Sequence, residues 1–265
     1  MAKFRETAVV ASQKSIAAGI YSMWIRTDKI AGEACPGQFI NIYCKDGSRI
    51  LPRPISICEI DRANKMIRIV YRVVGSGTCE FAMYNDGDSI TIMGPLGNGF
   101  NMKPKKAILI GGGIGIPPML ELAKELNGVM QDKCENVKEN IQVVAGYKSE
   151  LFLTEELSGA GKLYISTEDG STGTKGTVID AINENNLDAE IIYACGPMPM
   201  LRAVKQYAEE NGIEAWISLE ERMACGIGAC LGCVCKTKEK DFHTHVNNSR
   251  VCLSGPVFNA EEVEI

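Results

Sequence analysis

Little in this sequence invites a membrane or a nucleic acid. Its 265 residues carry 28 lysines and arginines against 33 aspartates and glutamates, a net charge of −5. No basic stripe gathers the cations into a footprint for a phosphate backbone. Long apolar runs are also missing: the uncharged stretch at residues 108–120 is broken by glycines and by Pro117 and Pro118, and is too short to span a bilayer. No apolar core follows Met1-Ala2-Lys3-Phe4-Arg5-Glu6, so export is not expected and the expected home is the cytoplasm. Internal repeats and low-complexity segments are absent. The length leaves room for two domains and a small appendage.

What the sequence has in quantity is sulfur and glycine, with 11 cysteines and 27 glycines. In a reducing compartment such thiols are kept for metal binding or chemistry rather than for disulfides. Five of them lie near the C-terminus, ordered C-x4-C-x2-C-x18-C with Cys235 as an extra thiol. Cys225, Cys230 and Cys233 come from one tight loop and Cys252 from a return segment, a pattern that presents thiolates to a [2Fe–2S] centre. Gly226, Gly228 and Gly232 allow the loop's amides to turn toward sulfur. A structural zinc site would want two short knuckles separated by a longer spacer. A Rieske centre would pair a cysteine with a histidine in each knuckle, and His243 and His245 do not do so. They read as solvated loop residues. Cys235 competes with Cys252 for the fourth position; Cys252 is favoured because a distant ligand ties the loop to the end of the chain.

Upstream, residues 6–92 form short β-type runs broken by Gly, Pro, Asp and Asn. Runs at 21–26, 38–43 and 66–74 alternate or are β-branched, which predicts a small antiparallel barrel interrupted by one helix at 78–83. Beyond the turn-rich Gly94-Pro95-Leu96-Gly97 connector, strands at 107–110, 141–147, 163–166 and 191–195 alternate with helices at 117–126, 178–185 and 199–210. That is the signature of a parallel α/β domain. A further strand at 215–219 leads into the cysteine loop. The expected division is a barrel over 1–101, an α/β nucleotide-binding domain over 102–214 and a small cluster domain over 215–265.

Two kinds of anion site are legible. In the barrel, Arg53-Pro54-Ile55-Ser56 places a forked cation and a hydroxyl on one strand start. Gly75-Ser76-Gly77-Thr78 opens the helix, with Thr78 as candidate cap and phosphate donor. An edge-strand proline beside a surface arginine is the plainer meaning of the first. In the α/β half, Gly111, Gly113 and Gly115 follow a strand and precede a helix, so that backbone amides can approach a pyrophosphate. A turn that binds nothing is the alternative. Cys195-Gly196-Pro197 is a second turn at a strand's carboxyl end, where open sheets bind ligands. Glu168 and Asp169 could pair with ribose hydroxyls and Lys148 could attract a 2′-phosphate; a solvated charged turn is the commoner meaning of either.

Arg53-Pro54-x-Ser56, Gly77-Thr78, Gly94-Pro95-Leu96-Gly97 and Cys195-Gly196-Pro197 resemble the ferredoxin–NADP reductase superfamily of flavoproteins. The tail from Glu221-Arg222-Met223 through Cys225 and Cys230, with Val251-Cys252 and Gly255-Pro256-Val257-Phe258, is similar to the electron-transfer subunits of NAD-dependent dihydroorotate dehydrogenase, type B. The resemblance covers essentially the whole chain. It implies a ferredoxin-reductase-like barrel that holds FAD through Arg53, Pro54, Ile55, Ser56, Val70, Tyr71, Arg72, Gly77 and Thr78. It further implies NADH as the nicotinamide, with Cys195 beside the nicotinamide ring. A separate FMN-carrying catalytic subunit would oxidise dihydroorotate to orotate in pyrimidine biosynthesis, within a heterotetramer of equal numbers of both subunits. Related subunits serve NAD(P)H-linked ferredoxin reductases, glutamate-synthase-like enzymes and hydrogenases, so the partner is the open choice. A non-catalytic interaction or metal-storage module with empty glycine turns is the alternative of a different class.

Overall fold

The computed structural model describes residues 2–130, 137–240 and 245–265. The first half runs β1 (Phe4–Ala17), β2 (Ile20–Arg26), α1 (Ile30–Glu33), β3 (Phe39–Tyr43), β4 (Arg53–Asp61), β5 (Met66–Arg72), α2 (Ser76–Ala82) and β6 (Ser89–Leu96). The strands close into a barrel in the order β1-β2-β5-β4-β3-β6 with antiparallel neighbours. Inward side chains such as Met23, Ile25, Ile40, Ile42, Ile67 and Ile69 make one apolar core. Closure removes the unpaired strand edges that an open sheet of this size would expose.

The second half runs β7 (Ala107–Gly112), α3 (Pro117–Met130), β8 (Ile141–Tyr147), α4 (Thr154–Ala160), β9 (Lys162–Thr167), β10 (Thr174–Lys175), α5 (Val178–Glu184), β11 (Ile191–Cys195), α6 (Met198–Asn211) and β12 (Glu214–Ser218). The tail adds β13 (Val234–Lys236), β14 (Asn248–Arg250), α7 (Val251–Ser254) and β15 (Val257–Asn259). β7 and β11 are buried along their whole length, as expected of parallel strands covered on both faces. The sheet order is β10-β9-β8-β7-β11-β12-β15. The winding reverses at β7, which opens a crevice at the carboxyl ends of β7 and β11. Local signals agree with the helices: Pro117 is the first residue of α3, Thr177 accepts from the Asp180 amide at the start of α5, and Gly212 ends α6 at φ 64°.

The expected barrel and α/β sheet are both present, with local differences. The run at 66–74 stops at Arg72 because its neighbour β2 begins at Ile20, the ladder partner of Arg72. The barrel half holds a second helix, α1, a single turn that buries Ile30 and Ala31 without a side-chain cap. α2 begins at Ser76, earlier than expected. The helix α4 carries no N-cap side chain and follows Leu153 at φ 61°, so the usual start signal is absent.

The strand expected to lead into the cysteine loop is β12, bonded in parallel to β11. β15 returns antiparallel to β12, pairing Trp216 with Asn259, Ile217 with Phe258 and Ser218 with Val257. The intervening segment therefore loops out between two neighbouring strands. Its Cys233, Cys235, Val251 and Cys252 pack into the same apolar cluster as Ile217, Leu219 and Phe258 of the sheet edge. Asn98 fastens this segment to the barrel: its Nδ2 donates to Ser254 O at 3.0 Å and Val257 O at 2.8 Å, and its Oδ1 accepts from Val257 N at 3.0 Å. No helix among the described residues is long and apolar enough to cross a membrane.

Candidate functional site

One cavity of about 390 Å³ draws on all three parts of the chain. The barrel contributes Arg53, Pro54, Ile55 and Ser56 from the start of β4, Val70, Tyr71 and Arg72 from the end of β5, and Thr78 from α2. The sheet contributes Ile114 and Cys195, and the tail contributes Glu220, Met223 and Pro256. Larger or equal depressions lie elsewhere, at the foot of α6 and beside β4, but neither touches the glycine turns.

Gly77 lies under the Arg53 side chain, and a Cβ there would stand 2.1 Å from Arg53 Nε. The missing side chain thus sets where the guanidinium lies, while its Nη1 donates to Leu51 O. Thr78 sits inside α2, whose N-cap is Gly75. Its Oγ1 accepts from Val74 N at 2.9 Å and Gly75 N at 3.2 Å and donates to Gly75 O at 3.0 Å. The expected cap is therefore made backwards, from the third helical position, and the hydroxyl proton is spent within the turn. Tyr71 turns into the barrel, where its hydroxyl donates to Gln13 Oε1 at 2.8 Å and its ring stacks on Tyr21.

The three fingerprint glycines do different things. A Cβ at Gly111 would meet Ile116 Cα at 2.7 Å, and one at Gly115 would meet Cys195 O at 2.4 Å. Both glycines let the turn pack against its own sheet. Gly113, at φ 52°, has open space on its Cβ side, the nearest atom being Arg72 Nη2 at 3.9 Å. Of the three, only Gly113 leaves room for a ligand beside a cation. Cys195 closes this end: it is 2 % exposed, and burial pushes its thiol up to about 12, with Glu220 adding to the rise and Ser218 opposing it. The thiol is neutral at ordinary pH, which suits a compact apolar contact and not a nucleophile.

Beside this cavity stands the cysteine loop. Gly226 and Gly228 have φ of 70° and 86°, and these turns point amides at sulfur. Ile227 N and Ala229 N donate to Cys225 Sγ at 3.4 and 3.2 Å, Gly228 N donates to Cys252 Sγ at 3.2 Å, and Cys252 N donates to Cys233 Sγ at 3.4 Å. Burial pushes the Cys225 thiol up, but the amides of Ile227, Cys230 and Ala229 and the Cys230 thiol outweigh it and hold it at about 6. Burial instead lifts Cys252 to about 12.

Cys225 lies within hydrogen-bond reach of Cys230, and Cys252 within reach of Cys233. Among the described residues no three His, Cys, Asp or Glu side chains converge on a single ion. Two thiol pairs on one loop and its return segment fit a binuclear centre, in which each iron takes two protein sulfurs. Cys235 stands apart on β13, opposite Ser249, with its thiol pushed up to about 11 by burial. His245 is exposed, and His243 lies outside the described residues. No disulfide forms among the described residues.

The barrel reaches this loop through Asn41 of β3. Asn41 is fully buried and its Nδ2 donates to Cys225 O at 3.3 Å, while its Oδ1 has no partner. A Cβ on Gly226 would stand 2.3 Å from Asn41 Nδ2, so the loop lies directly on the amide. Asn41 also pairs with Pro54 in the β3–β4 ladder. One residue therefore touches both the Arg53-Pro54 strand and the thiol loop.

The profile described as the iron-sulfur cluster binding domain of dihydroorotate dehydrogenase B matches residues 220–264, and the oxidoreductase NAD-binding domain matches residues 109–206. The dihydroorotate dehydrogenase B (NAD(+)) electron transfer subunit of Fusobacterium nucleatum is 45% identical over 98% of both chains. The chain belongs to this family of electron transfer subunits. The Listeria monocytogenes member is 41% identical over 97% of both chains. Among solved structures, the NADH-dependent reduced ferredoxin-NADP oxidoreductase superposes with a TM-score of 0.83 at 27% identity, covering 98% of this chain and 90% of that one. A ferredoxin NADP+ reductase from Neisseria gonorrhoeae shares the fold, with a TM-score of 0.62 at 17% identity over 79% of this chain and 92% of the other.

Within the electron transfer subunit family, the cluster-domain match spans Cys225, Cys230, Cys233 and Cys252, and the NAD-domain match spans Gly111, Gly113, Gly115 and Cys195. Several cavity residues stand outside the expected contact set: Ile114, Ser218 and Glu220, and also Met223 and Pro256, which the tail motif contains without a cofactor role. Ser218 ends β12 beside Cys195, so the rule that ligands lie at the carboxyl ends of parallel strands identifies it once β12 is known to belong to the sheet. Lys148, Glu168 and Asp169 follow β8 and β9 as exposed residues, and Asp169 Oδ1 is occupied by Ser171 N at 3.0 Å and Ser171 Oγ at 2.7 Å.

Proposed function

We propose that this chain relays electrons between NAD(H) and a partner catalytic subunit, with FAD in the cavity between barrel and sheet and a [2Fe–2S] cluster on the cysteine loop. The observation that carries this reading is the cavity itself, lined at once by Arg53 and Arg72, by Cys195 and by Met223 of the segment that leads into the thiol loop. A flavin supplies the exchange between paired electrons on the nicotinamide side and single electrons on the iron side.

The protein's own residues supply position. Arg53 and Arg72 offer guanidinium forks to a diphosphate, and Ser56 offers a hydroxyl to a ring heteroatom. Gly113 leaves the backbone open to a second pyrophosphate. Cys195, neutral and buried, keeps water from the face where a nicotinamide would stack. Cys225 with Cys230 and Cys233 with Cys252 are the two ligand pairs, and Cys235 is not a ligand. In this division residues 1–101 serve the flavin, 102–214 the nicotinamide and 215–265 the cluster.

The partner is the FMN-carrying catalytic subunit of dihydroorotate dehydrogenase B, so the complex oxidises dihydroorotate to orotate in the cytoplasm as a heterotetramer with both subunits in equal number. Cys230 is exposed on the same loop as the exposed apolar Ile227 and Leu231, and the exposed Leu253 lies beside Gly228 of that loop, a surface suited to this partner, since a one-electron carrier must lie close to its acceptor. Identity of 45% to a named electron transfer subunit, against 27% to the ferredoxin-NADP oxidoreductase, favours this partner over another NAD(P)H-linked complex.

Anaerobic purification with affinity capture tests the reading. The expected result is a brown protein with flavin, iron and sulfide, bleached by NADH, that brings down a flavoprotein and reduces NAD with dihydroorotate. A folded, colourless and iron-free preparation overturns the redox assignment. Cys230→Ser is expected to abolish the cluster spectrum and Cys235→Ser to leave it intact; loss of the spectrum in the second variant makes Cys235 a ligand.

A further inference from the structure

Arg250, the last residue of β14, reaches back over the cysteine loop. Its Nη1 donates to Gly228 O at 2.8 Å. That carbonyl belongs to the same peptide plane as the Ala229 amide, which donates to Cys225 Sγ at 3.2 Å. A guanidinium, a peptide group and a thiol sulfur thus stand in one line of two hydrogen bonds. Among the described residues no carboxylate forms an ion pair with Arg250, so its charge is not neutralised locally. The residue is half-buried, where charges are less screened than at an open surface.

We infer that Arg250 is a positioning residue that sets the reduction potential of the centre on this loop by orienting and polarising the Gly228–Ala229 peptide toward Cys225. The inference rests on the cluster assignment above. Adding an electron to a thiolate-ligated centre makes it more negative. A hydrogen bond to ligand sulfur, strengthened by a cation on the far side of the same peptide, favours that reduced form. The donor geometry also distinguishes Arg250 from Asn41, which acts on the Cys225 carbonyl and carries no charge.

The test is an EPR-monitored redox titration of the full chain, carrying its flavin and cluster, in wild type, Arg250→Gln and Arg250→Lys. Glutamine removes the charge and shortens the reach toward Gly228 O; lysine keeps the charge and loses the planar fork. The expected result is a lower cluster midpoint in Arg250→Gln, a smaller lowering in Arg250→Lys, and an unchanged flavin midpoint in both. An Arg250→Gln protein with full iron content and a wild-type midpoint overturns the inference. So does an equal shift in both variants, which would assign the effect to loop distortion. If Arg250→Gln retains no cluster, Arg250→Lys decides: a lowered midpoint supports the inference and a wild-type midpoint overturns it. A wild-type protein without any iron–sulfur signal sinks the cluster assignment instead.

Discussion

At the residue scale, the glycines separate into those that need space for ligands and those that need space for their own fold. A methyl group on Gly115 meets the backbone of Cys195 at 2.4 Å, and backbone cannot swing aside. Gly115→Ala is therefore expected to destabilise the chain by about 2 kcal/mol or more, read by urea denaturation. A methyl on Gly77 meets the flexible Arg53 side chain at 2.1 Å. Gly77→Ala should leave stability within about 1 kcal/mol and weaken flavin retention roughly tenfold, an expectation that equilibrium dialysis of the variant checks. A Gly115→Ala protein as stable as wild type would show that the turn can lift from β11. Asn41 is argued on the same scale. Asn41→Ala removes the hydrogen bond from β3 to the Cys225 carbonyl, so iron should leave to a chelator several-fold faster while bound flavin is unchanged.

At the scale of elements, α3 carries the fingerprint turn and is held to the barrel by a carboxyl group. Glu121 is 5 % exposed, and its Oε2 accepts from Ile60 N of β4 at 3.1 Å. Burial raises Glu121 to about 7, Glu125 and Glu59 add to the rise, and the Ile60 amide and Lys124 oppose it. The unfolded chain ionises this group near the ordinary value of about 4.3. A raised carboxyl favours the folded state fully below that value. The benefit is lost as pH climbs to about 7, and stability is flat in this respect beyond. The loss is on the order of 3 kcal/mol. Glu121→Gln keeps an acceptor for Ile60 and cannot ionise, so its stability relative to wild type should rise between pH 4.5 and pH 8; parallel curves would remove Glu121 from the pH response.

Elements also show which parts of the fold a sequence can carry. The thiol loop and the glycine turns were readable because their chemistry is local, written in spacing and in residues with few conformational alternatives. β2, β3, β8 and β11 were readable because alternation or continuous apolar character reports burial directly. The place of β12 in the sheet was not, since membership is decided by β11 on one side and by β15, some forty residues later, on the other. α1 and α4 were equally silent, being short and without capping side chains. Within the site, Arg250 and Asn41 escape the motif altogether, because both act through backbone carbonyls brought close only by folding.

At the scale of the whole molecule, the three parts share walls and are not joined by tethers. The barrel meets the sheet through α3 and β4, the tail is fastened to the barrel by Asn98 and Asn41, and the cavity lies where all three meet. Changing Asn98 to Ala removes both side-chain donations and the acceptor for the Val257 amide. This should cost about 2 kcal/mol or more, because a buried amide is left unsatisfied. The same variant should weaken co-purification of the partner subunit, since the segment it steadies carries the exposed apolar side chains Ile227, Leu231 and Leu253. Pull-down yield with intact iron content measures this, and an undiminished yield would detach the loop's docking role from Asn98.

The thiol segment leaves the sheet at Ser218 and re-enters it at Val257, and these two residues are ladder partners. The cluster segment is thus an inserted loop whose ends are clasped by one pair of strands. Any free energy released when metal closes that loop is transmitted to the clasp. Amide hydrogen exchange at Ile217 and Phe258, neither of which carries a ligand, then becomes a gauge of metal occupancy. Stripping the iron should speed exchange at this edge before it reaches β7 or β8. The edge of a nucleotide-binding sheet would then record whether the electron carrier has been loaded.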